Sequence, residues 1–215
     1  MIQILPSILT ADFLNLASDI EVMKQSGIEW IHIDVMDGVF VPNITFGHKI
    51  VSDIKKHFDI KCDAHLMVVE PEKHIDNFIN ADADIITVHV EATTKLDEII
   101  QRIKNAGVKV GISINPDTNV DILRKYIFDV DMFLVMSVFP GYGGQKLIPE
   151  TLDKVEQLAK WRDEKNLSYN IEVDGGVKKD NIGEVVKRGA DMIVVGSALY
   201  NDGKFEVWDV SGGVF

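Results

Sequence analysis

The chain has 215 residues, 46% hydrophobic and 26% charged, the profile expected of one soluble globular domain spanning 1–215. Its net charge of −12 excludes nucleic acid and anionic membrane as expected partners through long-range repulsion, yet leaves room for a small anionic ligand. No apolar run approaches the roughly 20 residues that cross a bilayer, no signal core opens the chain, and the single Cys62 excludes an internal disulfide framework, so a cytoplasmic location is expected.

A first strand is predicted over 3–9, ending in Pro6-Ser7-Ile8-Leu9, and a helix over 12–26 stops at Gly27. The second strand, 28–35, is the most informative segment. Ile31, Ile33 and Val35 share one face, while His32, Asp34 and Met36 share the other, because side chains alternate along a strand. A helix over 46–58 leads to a third strand, 60–67, with Asp63-Ala64-His65-Leu66-Met67. A helix at 72–81, a strand at 84–90 ending near His89, a helix at 94–106 and a strand at 108–114 follow. The helix at 118–127 leads to a strand at 132–138 holding Met136 and Ser137, then the loop Pro140-Gly141-Tyr142-Gly143-Gly144-Gln145. A helix at 149–165, a strand at 169–174 closing on Asp174-Gly175-Gly176, a helix at 178–188 and a strand at 191–196 before Gly196-Ser197 complete the series. Asn201 to Phe215 is too short and glycine-rich for an ordinary closing helix. Strict alternation allows an open doubly wound sheet or a closed barrel, and eight units favour an α/β (β/α)8 TIM barrel with an atypical, shortened C-terminal end. One side of such a barrel would expose apolar surface, which a partner subunit or the tail itself would cover, so a homo-oligomer is expected.

In that register the C-terminal strand ends, where such barrels carry their chemistry, collect His32, Asp34, His65 and Asp174 from three strands. Two imidazoles and two carboxylates suit one divalent first-row metal ion: Zn2+, Fe2+, Mn2+ or Co2+. His89, beside Glu91, reads as a hydrogen-bonded core histidine, and His48, His57 and His74 as surface residues on helices. Glycine-rich turns after three adjacent strands point to a phosphate held by backbone amides, since the four arginines (Arg102, Arg124, Arg162, Arg188) all fall in helical segments. Met36, Met67 and Met136 fall on inward positions and are expected to line the cavity.

The strings Pro6-Ser7-Ile8-Leu9-Thr10-Ala11-Asp12-Phe13, His32-Ile33-Asp34-Val35-Met36-Asp37-Gly38 with Phe40-Val41-Pro42-Asn43, and Asp63-Ala64-His65-Leu66-Met67 resemble the ribulose-phosphate 3-epimerase family. So do Val135-Met136-Ser137-Val138, Pro140 to Gln145, Val173-Asp174-Gly175-Gly176 and Gly196-Ser197-Ala198, in order across about residues 4–200. The resemblance implies a barrel of the ribulose-phosphate-binding type and a metal-dependent isomerase of carbohydrate metabolism (the pentose phosphate pathway). The implied substrate is a small sugar phosphate: D-ribulose 5-phosphate is epimerised at carbon 3 to D-xylulose 5-phosphate through a cis-enediolate. It also implies His32, Asp34, His65 and Asp174 as metal ligands, with Asp34 and Asp174 as the acid/base pair. Ser7, His65, Gly141, Tyr142, Gly143, Gly144, Gly175, Gly176, Gly196 and Ser197 are the implied substrate contacts.

Phe139 stands where the family usually has asparagine, and Leu147 where it usually has phenylalanine. Trp161-Arg162-Asp163-Glu164 and Tyr169 to Asp174 resemble the related D-allulose 6-phosphate 3-epimerases, whose product is D-fructose 6-phosphate. A hexulose phosphate is therefore the alternative substrate. A non-catalytic sugar-phosphate binder ranks lower, because phosphate binding requires neither aspartate nor either metal histidine. A metal-independent phosphosugar decarboxylase would need a lysine among the strand-end acids, and none stands near Asp34 and Asp37.

Overall fold

The computed structural model describes residues 2–201, 204–205 and 208. Eight strands form its centre: β1 (Gln3–Pro6), β2 (Trp30–Met36), β3 (Lys61–Met67), β4 (Ile85–His89), β5 (Lys109–Ile114), β6 (Met132–Met136), β7 (Asn170–Asp174) and β8 (Met192–Val195). They are hydrogen-bonded in the order β1-β8-β7-β6-β5-β4-β3-β2, every pair parallel. A bridge between Ser7 and His32 brings β1 against β2 and all but closes the ring. The expected barrel is the observed one.

Helices α1 (Leu16–Gln25), α2 (His48–His57), α3 (Ile75–Ile79), α4 (Leu96–Asn105), α5 (Leu152–Glu164) and α6 (Ile182–Lys187) alternate with the strands. Their apolar stripes explain their placement: α4 buries Leu96, Ile99, Ile100 and Ile103, and α5 buries Leu152, Val155, Leu158 and Trp161. These pack on the outward strand residues, among them Ile31, Ile33, Val35, Ile112, Val135, Val173 and Ile193, in one continuous core. Full burial of each such side chain contributes about 1.5–3 kcal/mol relative to exposure. The inward residues divide by depth. Leu5, Trp30, Ile85, Met132, Leu134 and Met192 belong to an apolar plug inside the barrel, while polar groups occupy the layers toward the C-terminal ends.

Four predicted helices come out differently. Residues 120–126 form a 3-10 helix. Its inward residues, Val120, Leu123 and Tyr126, recur every third residue, which is the 3-10 period. The helix predicted from 12 begins at Leu16, because the Asp12 carboxylate accepts from the Leu14 amide and holds a turn there. The helix predicted over 72–81 is split into a 3-10 turn at Pro71–Lys73 and α3, behind a left-handed Glu70. The helix predicted from 178 begins at Ile182, since Asn181 Oδ1 accepts from the Lys178 amide. Most of 201–215, to which the expectation of a shortened closing segment applies, lies outside the described residues. Within them, Phe205 and Trp208 pack against the core, and Trp208 Nε1 donates to the Ala198 carbonyl.

Candidate active site

Parallel register fixes the site's geometry. His32 pairs with Asp63, Asp34 with His65 and Met36 with Met67 across β2 and β3, and Met136 pairs with Asp174 across β6 and β7. The inward alternation on β2 then stacks His32 beneath Asp34 and Asp34 beneath Met36. His32 and His65 are fully buried, and the Asp174 side chain, 15% exposed, is the most open of the four.

The four predicted ligands converge. His32 Nε2 lies 3.2 Å from His65 Nδ1 and 3.3 Å from Asp34 Oδ1, and His65 Nδ1 lies 3.4 Å from Asp34 Oδ1. Asp174 Oδ2 is 3.8 Å from both imidazole nitrogens. Donors about 2.0–2.1 Å from a tetrahedral cation are about 3.3–3.4 Å apart. The donor set therefore fits a divalent first-row cation, with the Asp174 edge slightly wide.

Beneath these groups lie two carboxylates, Asp63 and Glu172, to which the sequence reading gives no role. Asp63 Oδ2 is 2.7 Å from His32 Nδ1 and Glu172 Oε1 is 3.1 Å from it, so the far nitrogen of His32 faces carboxylate on the barrel-floor side. Asp63 also accepts from Thr87 Oγ1, whereas neither Glu172 oxygen has a hydrogen bond. Four carboxyl groups thus surround one buried imidazole pair, with no lysine or arginine in the cluster among the described residues. Such a surplus of buried negative charge favours a bound cation or retained protons.

The titration directions express that surplus. Burial, then the Asp63 charge, pushes Glu172 up to about 8. Burial, then the Asp34 charge, pushes Asp174 up to about 7. For Asp34, burial opposes ionisation, but His32 and His65 outweigh it and hold the carboxyl far below its usual range. Burial likewise opposes charge on His32, and Asp34 and Asp63 overcome it, raising this imidazole well above 6.5. His65 falls to about 4, chiefly through burial and then the nearby imidazoles. At neutral pH the two cleft carboxyls are therefore unlike, one ionised and one at the edge of protonation.

These directions set a stability slope for the metal-free protein. The unfolded chain releases the Glu172 and Asp174 protons near 4.5 and 3.8, but the folded state keeps them to about 8 and 7. The folded state then holds more protons, so stability falls as pH rises through this interval, and His32 adds to the fall above 6.5. His65 acts oppositely, but only between about 4 and 6.5. In chelator, the unfolding free energy is expected to fall from pH 6.5 to 8 by up to about 1.4 kcal/mol per pH unit per proton, with the melting temperature falling alongside it, and Glu172→Gln should flatten the drop. A rising profile would contradict this charge assignment.

Above the cluster opens a cleft. Ser7, Asp34, Met36, Met67, Met136, Gly141, Tyr142, Gly143, Gly144, Asp174, Gly175, Gly176, Gly196 and Ser197 all line it, and His32 and His65 lie beneath. Ser7 Oγ donates to Asp34 Oδ2 at 2.5 Å and accepts from the Leu9 amide, so β1 steadies the carboxylate. Thr45 Oγ1 donates to the Asp34 carbonyl from the loop after β2. Asp37 pins that loop by accepting from the Val39, Phe40 and Val69 amides, and Asn43 Nδ2 reaches across to the Gly141 carbonyl.

The glycine turns meet around Thr10, which sequence reasoning quoted only within a family string. A Cβ on Gly143 would lie 2.9 Å from Thr10 Cγ2, and one on Gly196 would lie 3.6 Å from Thr10 Oγ1. Thr10 lines the cleft, and its hydroxyl oxygen is buried without a partner. Lys178, also unmarked in the sequence, is the one cationic side chain lining the cleft among the described residues. Its place two residues after Gly176, where the chain leaves β7 without starting a helix, gives no periodic signal.

The two departures from the family pattern lie outside the cleft lining. Phe139 is half exposed, and its carbonyl accepts from Gln145 Nε2, which also holds the Tyr142 carbonyl. Leu147 packs into the main core. Trp161 and Tyr169 are buried between α5 and the sheet, where Tyr169 Oη donates to the Leu158 carbonyl and Arg162 pairs with Asp191. Trp161, Arg162 and Tyr169, from the strings that resemble hexulose-phosphate enzymes, do not line the cleft, whereas Asp174, which ends the second string, does.

Comparison with known proteins gives the family and the fold. The model of the ribulose-phosphate 3 epimerase family matches residues 3–200. Ribulose-phosphate 3-epimerase of Synechocystis sp. is 47% identical over 202 residues, 93% of this chain and 88% of the relative. That of Bacillus subtilis is 44% identical over 215 residues, 99% of each chain. Among solved structures, a tryptophan synthase α-subunit from Pyrococcus furiosus superposes with a TM-score of 0.69 at 17% identity, covering 92% of this chain and 88% of the other. Phosphoribosyl anthranilate isomerase from Thermococcus kodakaraensis does so with a TM-score of 0.68 at 14% identity, covering 96% and 93%. At these identities the two structures speak for the barrel fold alone.

Proposed function

Since the chain belongs to the ribulose-phosphate 3-epimerase family of isomerases, we propose that it interconverts D-ribulose 5-phosphate and D-xylulose 5-phosphate by proton transfer between Asp34 and Asp174. The observation that carries this reading is the convergence of Asp34 and Asp174 at the cleft floor, both lining the cleft and with the donor atoms of their cluster all within 4.8 Å of one another. In the metal-free protein their environments set them apart, Asp34 favouring the ionised form and Asp174 pushed up to about 7 by burial. Inverting a carbon beside a ketone requires a base on one face and an acid on the other, and environments that push two carboxyls apart supply both. Asp34 accepts the carbon-3 proton of one epimer, and Asp174 delivers a proton to the opposite face. In the reverse direction the roles exchange.

His32, Asp34, His65 and Asp174 would hold a divalent cation, which supplies Lewis-acid stabilisation of the charge that develops on the substrate oxygens. The chain's own part is orientation. Ser7 holds the Asp34 carboxylate, Met36, Met67 and Met136 keep water from the reacting carbon, and the amides of the Gly143–Gly144, Gly175–Gly176 and Gly196–Ser197 turns receive the phosphate with Thr10.

Lys178 adds charge at the cleft mouth. An exposed contact of this kind is worth about 1 kcal/mol, so Lys178→Gln should raise KM roughly fivefold and leave kcat nearly unchanged. An unchanged KM at low salt would remove Lys178 from the phosphate site.

The pentulose reading rests on the names of the relatives. Offering D-ribulose 5-phosphate and D-allulose 6-phosphate separately, with kcat/KM for each, tests it. A higher value for the hexulose phosphate would overturn the choice of substrate and keep the chemistry.

A further inference from the structure

His89 closes β4 and is fully buried, yet the proton transfers above make no use of it. Its Nε2 lies 2.8 Å from His65 Nε2, with the two rings stacked at 23° and their centroids 4.9 Å apart. The Phe40 ring covers its other side, its centroid 4.9 Å away. His89 Nδ1 lies 3.2 Å from Glu91 Oε2. Glu91 Oε1 in turn accepts from the Asn115 amide at 2.8 Å and from Thr118 Oγ1. A continuous hydrogen-bonded chain therefore runs from the loop after β5 to the ring of His65.

The polarity of this chain follows from proton counting. Two imidazole nitrogens 2.8 Å apart share one proton. Glu91, with Asn115 and Thr118 donating to its other oxygen, acts as an acceptor toward His89, which places the His89 proton on Nδ1. His89 Nε2 is then bare and must accept, so His65 carries its proton on Nε2. That leaves His65 Nδ1 bare, and this is the atom facing Asp34, Asp174 and His32 Nε2.

We propose that His89 and Glu91 are positioning residues that fix the tautomer and ring angle of His65 so that its Nδ1 is presented as a ligand. Asp63 does the same for His32 directly, at 2.7 Å from Nδ1. His65 instead reaches its carboxylate, Glu91, through a second imidazole, His89. The inference rests on the reading that the four-residue cluster holds a divalent cation, and outer partners of this kind typically change metal affinity about 10–100-fold.

The test has two arms. In the first, long-range 15N–1H NMR of the Zn2+-loaded protein should show His65 protonated at Nε2 and His89 at Nδ1. A proton on His65 Nδ1 or His89 Nε2 would overturn the proposal without any variant. In the second, chelator competition measures Zn2+ affinity. His89→Phe, which keeps the ring and loses the hydrogen bonds, should bind Zn2+ about 10–100-fold more weakly, with Glu91→Gln weakened less. Wild-type affinity in His89→Phe would overturn the positioning role and leave the cation site standing. Wild-type protein that binds no Zn2+, or binds it as tightly after His32→Ala, would overturn the cation site itself and this inference with it.

Discussion

Asp174→Asn should abolish epimerisation while leaving the fold at least as stable as the wild type. Positioned proton transfer contributes about 10²–10⁴-fold, and the amide can neither give nor take the proton, so kcat/KM should fall by at least about 10³-fold once the lost cation ligand is added. Stability should move the other way. Burial and the Asp34 charge hold Asp174 up to about 7, so this carboxyl is a strained member of the cluster. Replacing a destabilised buried acid by a neutral isostere is neutral or stabilising at pH 7.5 in chelator. Residual solvent exchange at carbon 3, catalysed by the remaining Asp34, should be confined to one epimer. Equal residual exchange into both epimers, or activity within tenfold of wild type, would contradict the two-carboxylate assignment.

The second large effect is structural and centres on Gly176. Its φ is +66°, and a Cβ there would lie 2.3 Å from the Leu147 amide nitrogen and 2.9 Å from the Gln145 carbonyl oxygen. Every one of these neighbours is backbone, so no side-chain rotation relieves the clash. A left-handed non-glycine residue costs about 1–2 kcal/mol and overpacking about 1–3 kcal/mol more, so Gly176→Ala should lose about 2–5 kcal/mol in denaturant unfolding. It should also raise KM, because the segment it displaces carries the Gly141–Gln145 loop over the cleft. Gly107→Ala provides the comparison: φ is +76° there, but a Cβ would meet nothing within 4 Å. Its loss should be limited to the conformational part. Equal losses in the two variants would mean that the close approach at Gly176 does not matter.

The parts of the site that could be read from the chain are those set by alternation and strand ends. Once β2 is placed, the period of two puts His32, Asp34 and Met36 on one face, and parallel pairing brings His65 opposite Asp34. Asp63 and Glu172 obey the same parity, two residues before His65 and Asp174, so the pattern was present. What parity does not reveal is depth: these two acids lie below the cluster, against the far nitrogen of His32. The pairing of His65 with His89 depends on the angle of neighbouring strands, since the register partner of His65 is Thr87. Thr10, which closes the 3-10 helix Ile8–Thr10, and Lys178, in an irregular segment after β7, stand where a three-residue helix and a loop leave no periodic signal. Of the strings that point to the hexulose alternative, Trp161 and Tyr169 pack α5 on β7 and do not reach the cleft.

The central claim is that a cation-assisted acid/base pair exchanges the carbon-3 proton, and solvent deuterium uptake followed by proton NMR tests it most directly. With D-ribulose 5-phosphate as substrate, deuterium should enter carbon 3 as D-xylulose 5-phosphate forms. Chelator should suppress both, and Zn2+, Mn2+, Fe2+ or Co2+ should restore both. Full exchange in chelator, or epimerisation without deuterium uptake, would contradict the account.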